Sequence, residues 1–277
     1  MPAPEASVPR DATIALAAVE LRRSEIKAVP VGAVSGEPWF VQPDEAYRVQ
    51  LAQAATRTEA GGVRRGFKVG LTSSGMQNLL GVTEPDFGHL FADMEVKNGG
   101  TLNPREFILP RAEPELAFVL GARLGADRVL PEDVIAATDY VTVAIEVVDS
   151  RVRDWKITWT DTVADNGSSS RFVLGGTRVY LADAAGTLHS LRTELVKNDE
   201  LVGKAPLSEV MGDPIASVCW LAETLWRFGI QMQPGDVILS GSPCAATNLL
   251  PGDHVLATIE SIGSVSVTVD DERKGTP

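Results

Sequence analysis

The stretch Arg111-Ala-Glu-Pro-Glu-Leu-Ala-Phe-Val-Leu120 decides the fold more than any other part of the chain. Its second half is apolar and ends in Phe-Val-Leu, which predicts a buried strand over Glu115–Leu120. Side chains alternate along a strand, so the carboxylates of Glu113 and Glu115 share one face. Neighbouring carboxylates repel each other unless a cation lies between them. The pair indicates either a metal site or a solvated strand end.

A second β-rich stretch, Val141-Thr-Val-Ala-Ile-Glu-Val-Val-Asp-Ser-Arg151, carries Glu146 in its middle. A carboxylate inside a buried strand costs free energy unless it is paired or binds a cation, so we interpret Glu146 as a third ligand. We interpret Asp149 and Arg151 as a supporting ion pair at the strand end. Three carboxylates without a neighbouring His or Cys make an all-oxygen site. Such a site suits Mg²⁺ or Mn²⁺, suits Ca²⁺ less well and disfavours zinc.

The composition is that of an ordinary globular protein, since 44% of the 277 residues are hydrophobic and 22% are charged. A net charge of −12 without clustered Lys and Arg argues against a nucleic-acid partner. No run of about 18 apolar residues predicts a membrane span. Met1–Arg10 lacks the apolar centre of a secretory signal, so we expect none. With only two cysteines, a cytoplasmic protein without a disulfide is expected.

The hydrophobic pattern divides the chain into a helical N-terminal region, residues 1–62, and a β-rich catalytic core, residues 63–277. Helices are predicted over residues 11–27, 43–60, Pro131–Ala137 and Pro214–Phe228. Short β-rich runs in the second part alternate with Gly, Pro, Asn and Asp, and predict strands over Gly66–Gly70, Glu95–Val96, Glu115–Leu120, Val141–Val148, Ser170–Leu174, Glu194–Lys197, Val237–Ser240, His254–Ile259 and Val265–Val269. This pattern predicts an α+β fold with a mainly β core and a helical N-terminal flank.

Two polar residues in glycine-rich surroundings are candidates for catalysis. Lys68 lies in Gly66-Phe-Lys-Val-Gly70, a predicted strand whose glycines allow another backbone to approach closely. A lysine on a strand is commonly solvated, but near a metal site Lys68 could bind a substrate carboxylate or act as an acid or base. Asp86 lies in Gly81-Val-Thr-Glu-Pro-Asp-Phe-Gly-His-Leu90, which we interpret as a loop. That position is typical of catalytic groups and also of a turn stabilised by the Asp side chain.

Two loops of small polar residues are candidates for anion binding. Val163-Ala-Asp-Asn-Gly-Ser-Ser-Ser170 offers hydroxyl and backbone N–H groups, although an ordinary turn has the same composition. Ser240-Gly-Ser-Pro-Cys-Ala-Ala-Thr-Asn248 follows a predicted strand, and Thr247 with nearby backbone amides could hold a carboxylate. No nucleotide-binding fingerprint occurs, so we expect no nucleotide cofactor. The spacing of the three histidines predicts no metal cluster: His89, His189 and His254.

Together these blocks resemble the fumarylacetoacetate hydrolase superfamily. Within it they are most similar to the 2-keto-4-pentenoate hydratase and 4-oxalocrotonate decarboxylase group of aromatic meta-cleavage pathways. The resemblance runs from about Leu51 to Val269 and rests on Lys-Val-Gly at Lys68, Gly-Val-x-x-Pro-Asp-Phe-Gly ending at Gly88, Glu-x-Glu at 113–115, Glu-Val-Val-Asp-Ser-Arg at 146–151, Asp-Thr-Val-Ala-Asp-Asn at 161–166, and Pro-Gly-Asp at 234–236 and 251–253.

The resemblance implies a mixed-sheet core rolled into a barrel-like shape and a homo-oligomer, and it allows association with another enzyme of the pathway. It implies that Mg²⁺ or Mn²⁺ is bound by Glu113, Glu115 and Glu146. At the reacting part of a small 2-oxo or 2-hydroxydienoate acid it places Lys68 and Asp86. The substrate pocket would be lined by Asp165, Ser168 and Thr247.

The resemblance favours a hydratase that adds water to a 2-hydroxypenta-2,4-dienoate and gives a 4-hydroxy-2-oxo acid. The group's hydratases generally carry the Asp of Pro-Asp-Phe-Gly, where its decarboxylases tend to have an apolar residue. Arg153–Ile157 also resembles the hydratases. The Ser242–Thr247 loop follows neither subgroup closely, which leaves the substrate's tail open, and Val31–Phe40 is an unusual segment without an assigned role.

Three alternatives remain. A 4-oxalocrotonate (2-oxo-3-hexenedioate) decarboxylase would share the scaffold. An acylpyruvate-type C–C hydrolase of this superfamily usually needs a His in the N-terminal part of the core, whereas no His precedes His89. A catalytically inactive binding or scaffold protein would have no reason to keep three glutamates and Lys68 together.

Overall fold

The computed structural model of the chain describes residues 10–36, 38–73, 77 and 81–271. The expected absence of a secretory signal concerns residues that lie, except for Arg10, outside this range. Helices α1–α6 are Arg10–Lys27, Ala46–Glu59, Pro131–Ala137, Trp159–Ala164, Leu181–Ala184 and Pro214–Arg227. Strands β1–β13 are Arg64–Gly70, Asp86–Phe91, Glu95–Val96, Gly100–Leu102, Arg111–Leu120, Thr138–Val148, Ser169–Leu174, Arg192–Lys197, Glu200–Pro206, Val237–Leu239, Thr247–Asn248, His254–Ile259 and Gly263–Val269.

The described strands form two sheets. The larger runs in the order β2-β1-β10-β5-β6-β7-β3, with β11 paired to β5, and the smaller runs β4-β13-β12-β8-β9. The larger sheet is mixed, because β1 pairs parallel with β10 whereas β5 pairs antiparallel with both β10 and β6. This sheet curls into half a barrel. The predicted α+β fold, with a mainly β mixed-sheet core and a helical N-terminal flank, is confirmed.

The larger sheet is buried on both faces. Phe118 of β5 and Ile145 of β6 lie in the main core together with Val267 of the smaller sheet. Their neighbours along the strands, Ala117 and Ala144, belong to a separate apolar cluster on the opposite face. Strands buried on both faces lose the alternation of polar and apolar residues, so any charged residue within them requires a specific partner.

The N-terminal helices pack against each other and against the core. Leu21 of α1, Val49 of α2 and Val163 of α4 lie in one apolar cluster. Because this cluster includes residues from both parts of the chain, the division at residue 62 stays a prediction. Among the described helices, none is both long and apolar enough to cross a membrane.

The segment that joins α1 to α2 is bound along the core, which gives Val31–Phe40 a structural place; Glu37 lies outside the described residues. The backbone N–H of Val31 donates to Arg151 and the N–H of Arg153 donates back to Val31, both at 2.9 Å. The backbone N–H and hydroxyl of Ser35 both donate to the Asp161 carboxylate at 2.9 Å. The segment therefore ties the N-terminal helices to α4 and to the turn before it.

The predicted helices are all present, and Asp213 caps α6 by accepting a hydrogen bond from the Ile215 N–H at 2.8 Å. Strands β2, β4, β9 and β11 were not predicted. The assignment of Asp86 to a loop is wrong, because Asp86 is the first residue of β2 and pairs with Gly70 of β1. Every residue of β2 is buried, so its sequence shows no alternation, and the glycine at position 88 made it resemble a turn.

Candidate active site

Three glutamates meet on one face of the larger sheet. Glu113 of β5 lies directly opposite Glu146 of β6, and Glu115 is two residues further along β5. Strand alternation places Glu113 and Glu115 on the face of Ala117, away from the main core. One carboxylate oxygen from each glutamate lies within 4.8 Å of the other two. The structure thus brings together the three residues predicted from the sequence.

The carboxylates of this cluster are poorly compensated. Glu115 and Glu146 are fully buried, and neither oxygen of Glu146 has a hydrogen-bond partner in the described part of the chain. Glu115 Oε2 accepts from the Gly241 N–H at 2.6 Å, whereas Oε1 lacks a described partner. Burial and repulsion from Glu146 raise the pKa of Glu113 to about 7 and that of Glu115 well above its ordinary value. Orphaned buried oxygens are rare, and three hard oxygen donors fit a divalent cation.

Lys68 reaches this cluster from β1. Its neighbours Phe67 and Val69 lie in the main core, so strand alternation turns Lys68 to the opposite face. The Lys68 Nζ lies 3.4 Å from Glu146 Oε2 and donates to the Gly167 carbonyl at 2.9 Å. Burial alone would lower the pKa of Lys68, but the carboxylates around it, Glu146 first, raise it above its ordinary value. The side chain is therefore a buried ammonium and not a solvated lysine.

Asp86 lies beside the same group, on the strand next to Lys68. Its carboxylate is buried and accepts a hydrogen bond from the Thr162 hydroxyl at 3.3 Å. Burial raises the pKa of Asp86, and the charge of Lys68 opposes that shift. A Cβ atom at Gly70 would lie 2.3 Å from Asp86 Oδ1 and 3.1 Å from Lys68 Nζ. Only glycine leaves room there for both side chains, which explains the glycine that follows Lys-Val in the sequence.

The three residues predicted to line the substrate pocket differ in their surroundings. The Asp165 carboxylate is fully buried and accepts from the backbone N–H of Arg151 at 3.0 Å and from its guanidinium. The Ser168 hydroxyl lies 3.4 Å from the same carboxylate. These contacts favour a supporting role for both residues, and direct substrate binding stays a prediction. Thr247 begins β11 opposite Ala112, the residue before Glu113.

The predicted ion pair between Asp149 and Arg151 is wrong. The Asp149 carboxylate instead accepts from the backbone N–H groups of Ile108 and Leu109, at 2.8 and 2.7 Å. Arg151 donates to the backbone carbonyl of Asp149 at 2.8 Å and directs its guanidinium to Asp165. The spacing of the two residues suggested the pair, but the chain returning from α4 supplies a nearer carboxylate.

Asn166 and Gly167, which were predicted only as part of a loop of small polar residues, lie against Lys68 and β2. Gly167 supplies the carbonyl that Lys68 binds, and Asn166 binds the backbone of His89. An Asn-Gly pair favours backbone with positive φ, which was the available signal.

His89 of β2 provides a pH-dependent feature of the fold. Its ring packs against Phe67 and Phe87, with centroids 5.2 and 5.9 Å apart, and its Nδ1 has no partner among the described residues. Burial lowers the pKa of His89 from 6.5 to about 4. The folded-state pKa lies below the unfolded value. The neutral ring therefore stabilises the fold fully above pH 6.5, and this stabilisation is lost as the pH falls towards 4.

His89→Phe is therefore expected to reduce acid sensitivity. Between pH 7 and pH 5, the wild-type free energy of unfolding should fall by about 2 kcal/mol more than that of the variant. Urea denaturation at both pH values measures this difference. An equal fall in the two proteins would contradict the assignment.

Comparison with known proteins identifies the family to which the chain belongs. A sequence profile of the family described as fumarylacetoacetate (FAA) hydrolase C-terminal matches residues 89–270. 2-keto-4-pentenoate hydratase 2 of Dechloromonas aromatica (strain RCB) is 37% identical over 250 residues, which cover 90% of this chain and 95% of that protein. 2-hydroxyhexa-2,4-dienoate hydratase of Comamonas testosteroni is 40% identical over 226 residues, which cover 81% and 85%.

Solved structures show the same relationship. 4-Oxalocrotonate decarboxylase from Pseudomonas putida G7, complexed with magnesium and adipate, is similar with a TM-score of 0.89 and 32% identity, over 95% of this chain and 99% of that one. Fumarylpyruvate hydrolase from Pseudomonas aeruginosa, at 19% identity and a TM-score of 0.62 over 76% and 91% of the two chains, shares the fold alone. With a matching profile and relatives that cover most of its length, the chain belongs to the fumarylacetoacetate hydrolase family, in the group of the 2-keto-4-pentenoate hydratases and 4-oxalocrotonate decarboxylases.

Proposed function

We propose that the protein is a divalent-metal-dependent hydratase that adds water to a 2-hydroxypenta-2,4-dienoate-type acid and forms a 4-hydroxy-2-oxo acid. The observation that carries this proposal is the buried Asp86 carboxylate, which lies beside Lys68 and the three glutamates. Relatives at 37–40% identity that are named as hydratases cover most of the chain and support the same reaction.

We propose that Mg²⁺ or Mn²⁺ is held by Glu113, Glu115 and Glu146. The orphaned oxygens of Glu115 and Glu146 and the all-carboxylate donor set support this choice. The similar decarboxylase structure holds magnesium, which supports it further. When bound, the ion would polarise the 2-oxo group of the substrate and orient its carboxylate.

The reaction requires proton transfers at two ends of the substrate. The dienoate loses its 2-hydroxyl proton and gains a proton at C5, which gives a 2-oxo-3-enoate. Water oxygen then bonds to C4, and C3 gains a proton. We propose that the Lys68 ammonium binds the acid end and takes part in the proton transfer there. Asp86 would orient the water and accept its proton, since a buried carboxylate with a raised pKa is a competent base near neutral pH.

A cavity of about 860 Å³ opens beside Asp86. Its lining includes Thr72, the adjacent Pro85 and an aromatic wall of Tyr47, Trp220 and Phe228. The volume suits a small acid. The glutamates are not part of the described lining of this cavity, so the acid end of the substrate, which would face the metal, lies outside it. We propose that the substrate tail lies at the end of the cavity nearest Pro85.

The decarboxylase alternative is supported by one observation, the close structural similarity to 4-oxalocrotonate decarboxylase. Loss of CO₂ needs no group to activate water, so it gives Asp86 no role. The acylpyruvate-type hydrolase alternative has only the shared fold behind it. His89, the first histidine, is buried among phenylalanines, and burial lowers its pKa to about 4, which makes it a weak base for activating water.

Parallel assays with Mg²⁺ separate these activities. We expect 2-hydroxypenta-2,4-dienoate to lose its ultraviolet absorbance and to yield 4-hydroxy-2-oxopentanoate, identified by proton NMR. 2-Oxo-3-hexenedioate should release little CO₂. Rapid CO₂ release without hydration of the first substrate would overturn the hydratase proposal in favour of the decarboxylase.

We also expect a homo-oligomer. Leu16, Val19 and Ile26 of α1 are 49–69% exposed, and clustered exposed apolar side chains are typical of interfaces. Light scattering at micromolar concentration should give a multiple of 29.5 kDa. A mass of one chain would contradict this expectation.

A cytoplasmic location remains our proposal as well. It is supported by the low cysteine content, Cys219 and Cys244 alone, because a protein of this size needs no structural disulfide. Association with another enzyme of the pathway stays a prediction.

A further inference from the structure

An unusual backbone turn lies between α4 and β7. Asn166, Gly167 and Ser168 are three consecutive residues with positive φ, at 58°, 60° and 54°. Glycine adopts this conformation freely and asparagine tolerates it, but Ser168 is disfavoured in it. Such conformations persist where surrounding contacts hold them, and they are common at functional sites.

The turn presents a carbonyl to Lys68. The Gly167 carbonyl accepts from Lys68 Nζ at 2.9 Å, while the same nitrogen lies 3.4 Å from Glu146 Oε2. A Cβ atom at Gly167 would lie 3.2 Å from Lys68 Cδ and 3.5 Å from Asp86 Oδ1. The turn therefore contacts Lys68 and lies close to Asp86, the two residues to which we assign proton transfers.

The Asn166 side chain binds this turn to β2. Its Oδ1 accepts from the His89 N–H at 2.7 Å, and its Nδ2 donates to the His89 carbonyl at 3.0 Å. His89 pairs with Phe67, the residue before Lys68. A Cβ atom at Gly88 would lie 2.3 Å from the Asn166 carbonyl, so the turn fits closely onto the strand. The two hydrogen bonds fix the turn relative to the strand pair that carries Lys68.

Arg151 binds the two residues that flank the turn, Asp165 and Ser169. Its guanidinium donates to the carboxylate and carbonyl of Asp165, and to the Ser169 carbonyl at 2.9 Å. Both side chains are buried. Arg151 thus anchors Asp165 and Ser169, the residues on either side of the turn. The attachment of the turn to β2 depends on Asn166.

We propose that Asn166 is a positioning residue, which holds the left-handed turn so that the Gly167 carbonyl keeps the Lys68 ammonium at its working distance from Glu146. The inference rests on the role proposed for Lys68. Without Asn166 the turn can relax, the carbonyl moves away, and the ammonium is free to move onto the carboxylates.

The test compares Asn166→Ala with a matched variant, Asn198→Ala. Asn198 also has positive φ, at 50°. Its side chain likewise binds the backbone of a strand, because it accepts from the His254 N–H of the smaller sheet at 2.9 Å. Both variants should lose some thermal stability. Only Asn166→Ala should lower kcat, by about 10- to 100-fold, with a smaller change in KM. Asn166→Asp keeps the acceptor for His89 and loses the donor, so its kcat should lie between Asn166→Ala and wild type.

A double-mutant cycle shows whether Asn166 acts through Lys68. In a Lys68→Met background, Asn166→Ala should change the residual rate by less than about twofold. Equal losses in both backgrounds, or a normal kcat for Asn166→Ala, would overturn the inference. If Lys68→Met itself keeps the wild-type rate, the proposed function of Lys68 fails and this inference fails with it. If Lys68→Met has a low kcat and Asn166→Ala has a normal kcat, the proposed function of Lys68 stands and only this inference is overturned.

Amide hydrogen exchange of the metal-free protein gives a readout independent of activity. Asn166→Ala should speed exchange in the 165–170 segment, and Asn198→Ala should leave that segment unchanged. Unchanged protection in Asn166→Ala would show that the turn holds without the side chain, and would overturn the inference.

Discussion

Replacing Glu115 by glutamine is expected to remove metal-dependent activity and to stabilise the metal-free protein. Glu115 is fully buried, one of its oxygens lacks a described partner, and it is repelled by Glu146 and Glu113. Glutamine keeps the volume and can still accept from the Gly241 N–H, but it removes a ligand charge. We expect metal affinity and activity to fall at least about 100-fold. The free energy of unfolding in chelator should rise by about 1–3 kcal/mol, the usual scale for an unsatisfied buried polar group.

Isothermal titration with Mn²⁺ and urea denaturation in chelator measure the two effects. Glu194→Gln is the matched control, because Glu194 also lies on a strand but pairs with Lys204 at a partly exposed surface, and it should change neither quantity. Loss of metal binding is expected also for Glu113→Ala and Glu146→Ala. Normal metal affinity in Glu115→Gln would contradict its assignment as a ligand.

Asp86→Asn is expected to lower the hydration rate by about 100-fold or more, the usual scale for a general base. The amide keeps the shape of the side chain and can still accept from the Thr162 hydroxyl, but it cannot take a proton from water. Metal binding should persist, since Asp86 does not belong to the glutamate cluster. Exchange of the substrate's C3 proton should be affected less if Lys68 serves that step.

Asp253→Asn is the control for this prediction. Asp253 is also buried but lies in the turn before β12, where it accepts from the Leu250 N–H at 2.9 Å, so its loss should affect stability and not hydration. Stopped-flow loss of dienoate absorbance gives the rates. If Asp86→Asn hydrates at the normal rate, Asp86 has only a structural role and the decarboxylase becomes the better assignment.

The glutamate cluster could be predicted from the sequence because its geometry is local. A period of two along β5 fixes the shared face of Glu113 and Glu115, and an apolar run makes Glu146 conspicuous. Pairing of the two predicted strands then brings the three together. The fold class followed from the same signal, since many short β-rich runs with few helices indicate a mainly β core.

The surroundings of the cluster could not be predicted, because they depend on contacts between distant parts of the chain. Arg151 pairs with Asp165 and not with Asp149, which is nearer in the sequence and was equally plausible as its partner. Strand β2 is buried throughout and so lacks the alternation by which strands are recognised. The carbonyl that binds Lys68 belongs to a backbone group, and its position depends on a turn that composition alone does not reveal.

Removal and restoration of the metal tests most directly whether this glutamate cluster supports hydration. Chelator-treated protein should lose its activity towards 2-hydroxypenta-2,4-dienoate while keeping its circular dichroism spectrum. Titration with Mg²⁺ or Mn²⁺ should restore the rate in proportion to the binding of one ion per chain. Full activity in chelator, with no ion retained by elemental analysis, would contradict metal-dependent hydration at Glu113, Glu115 and Glu146.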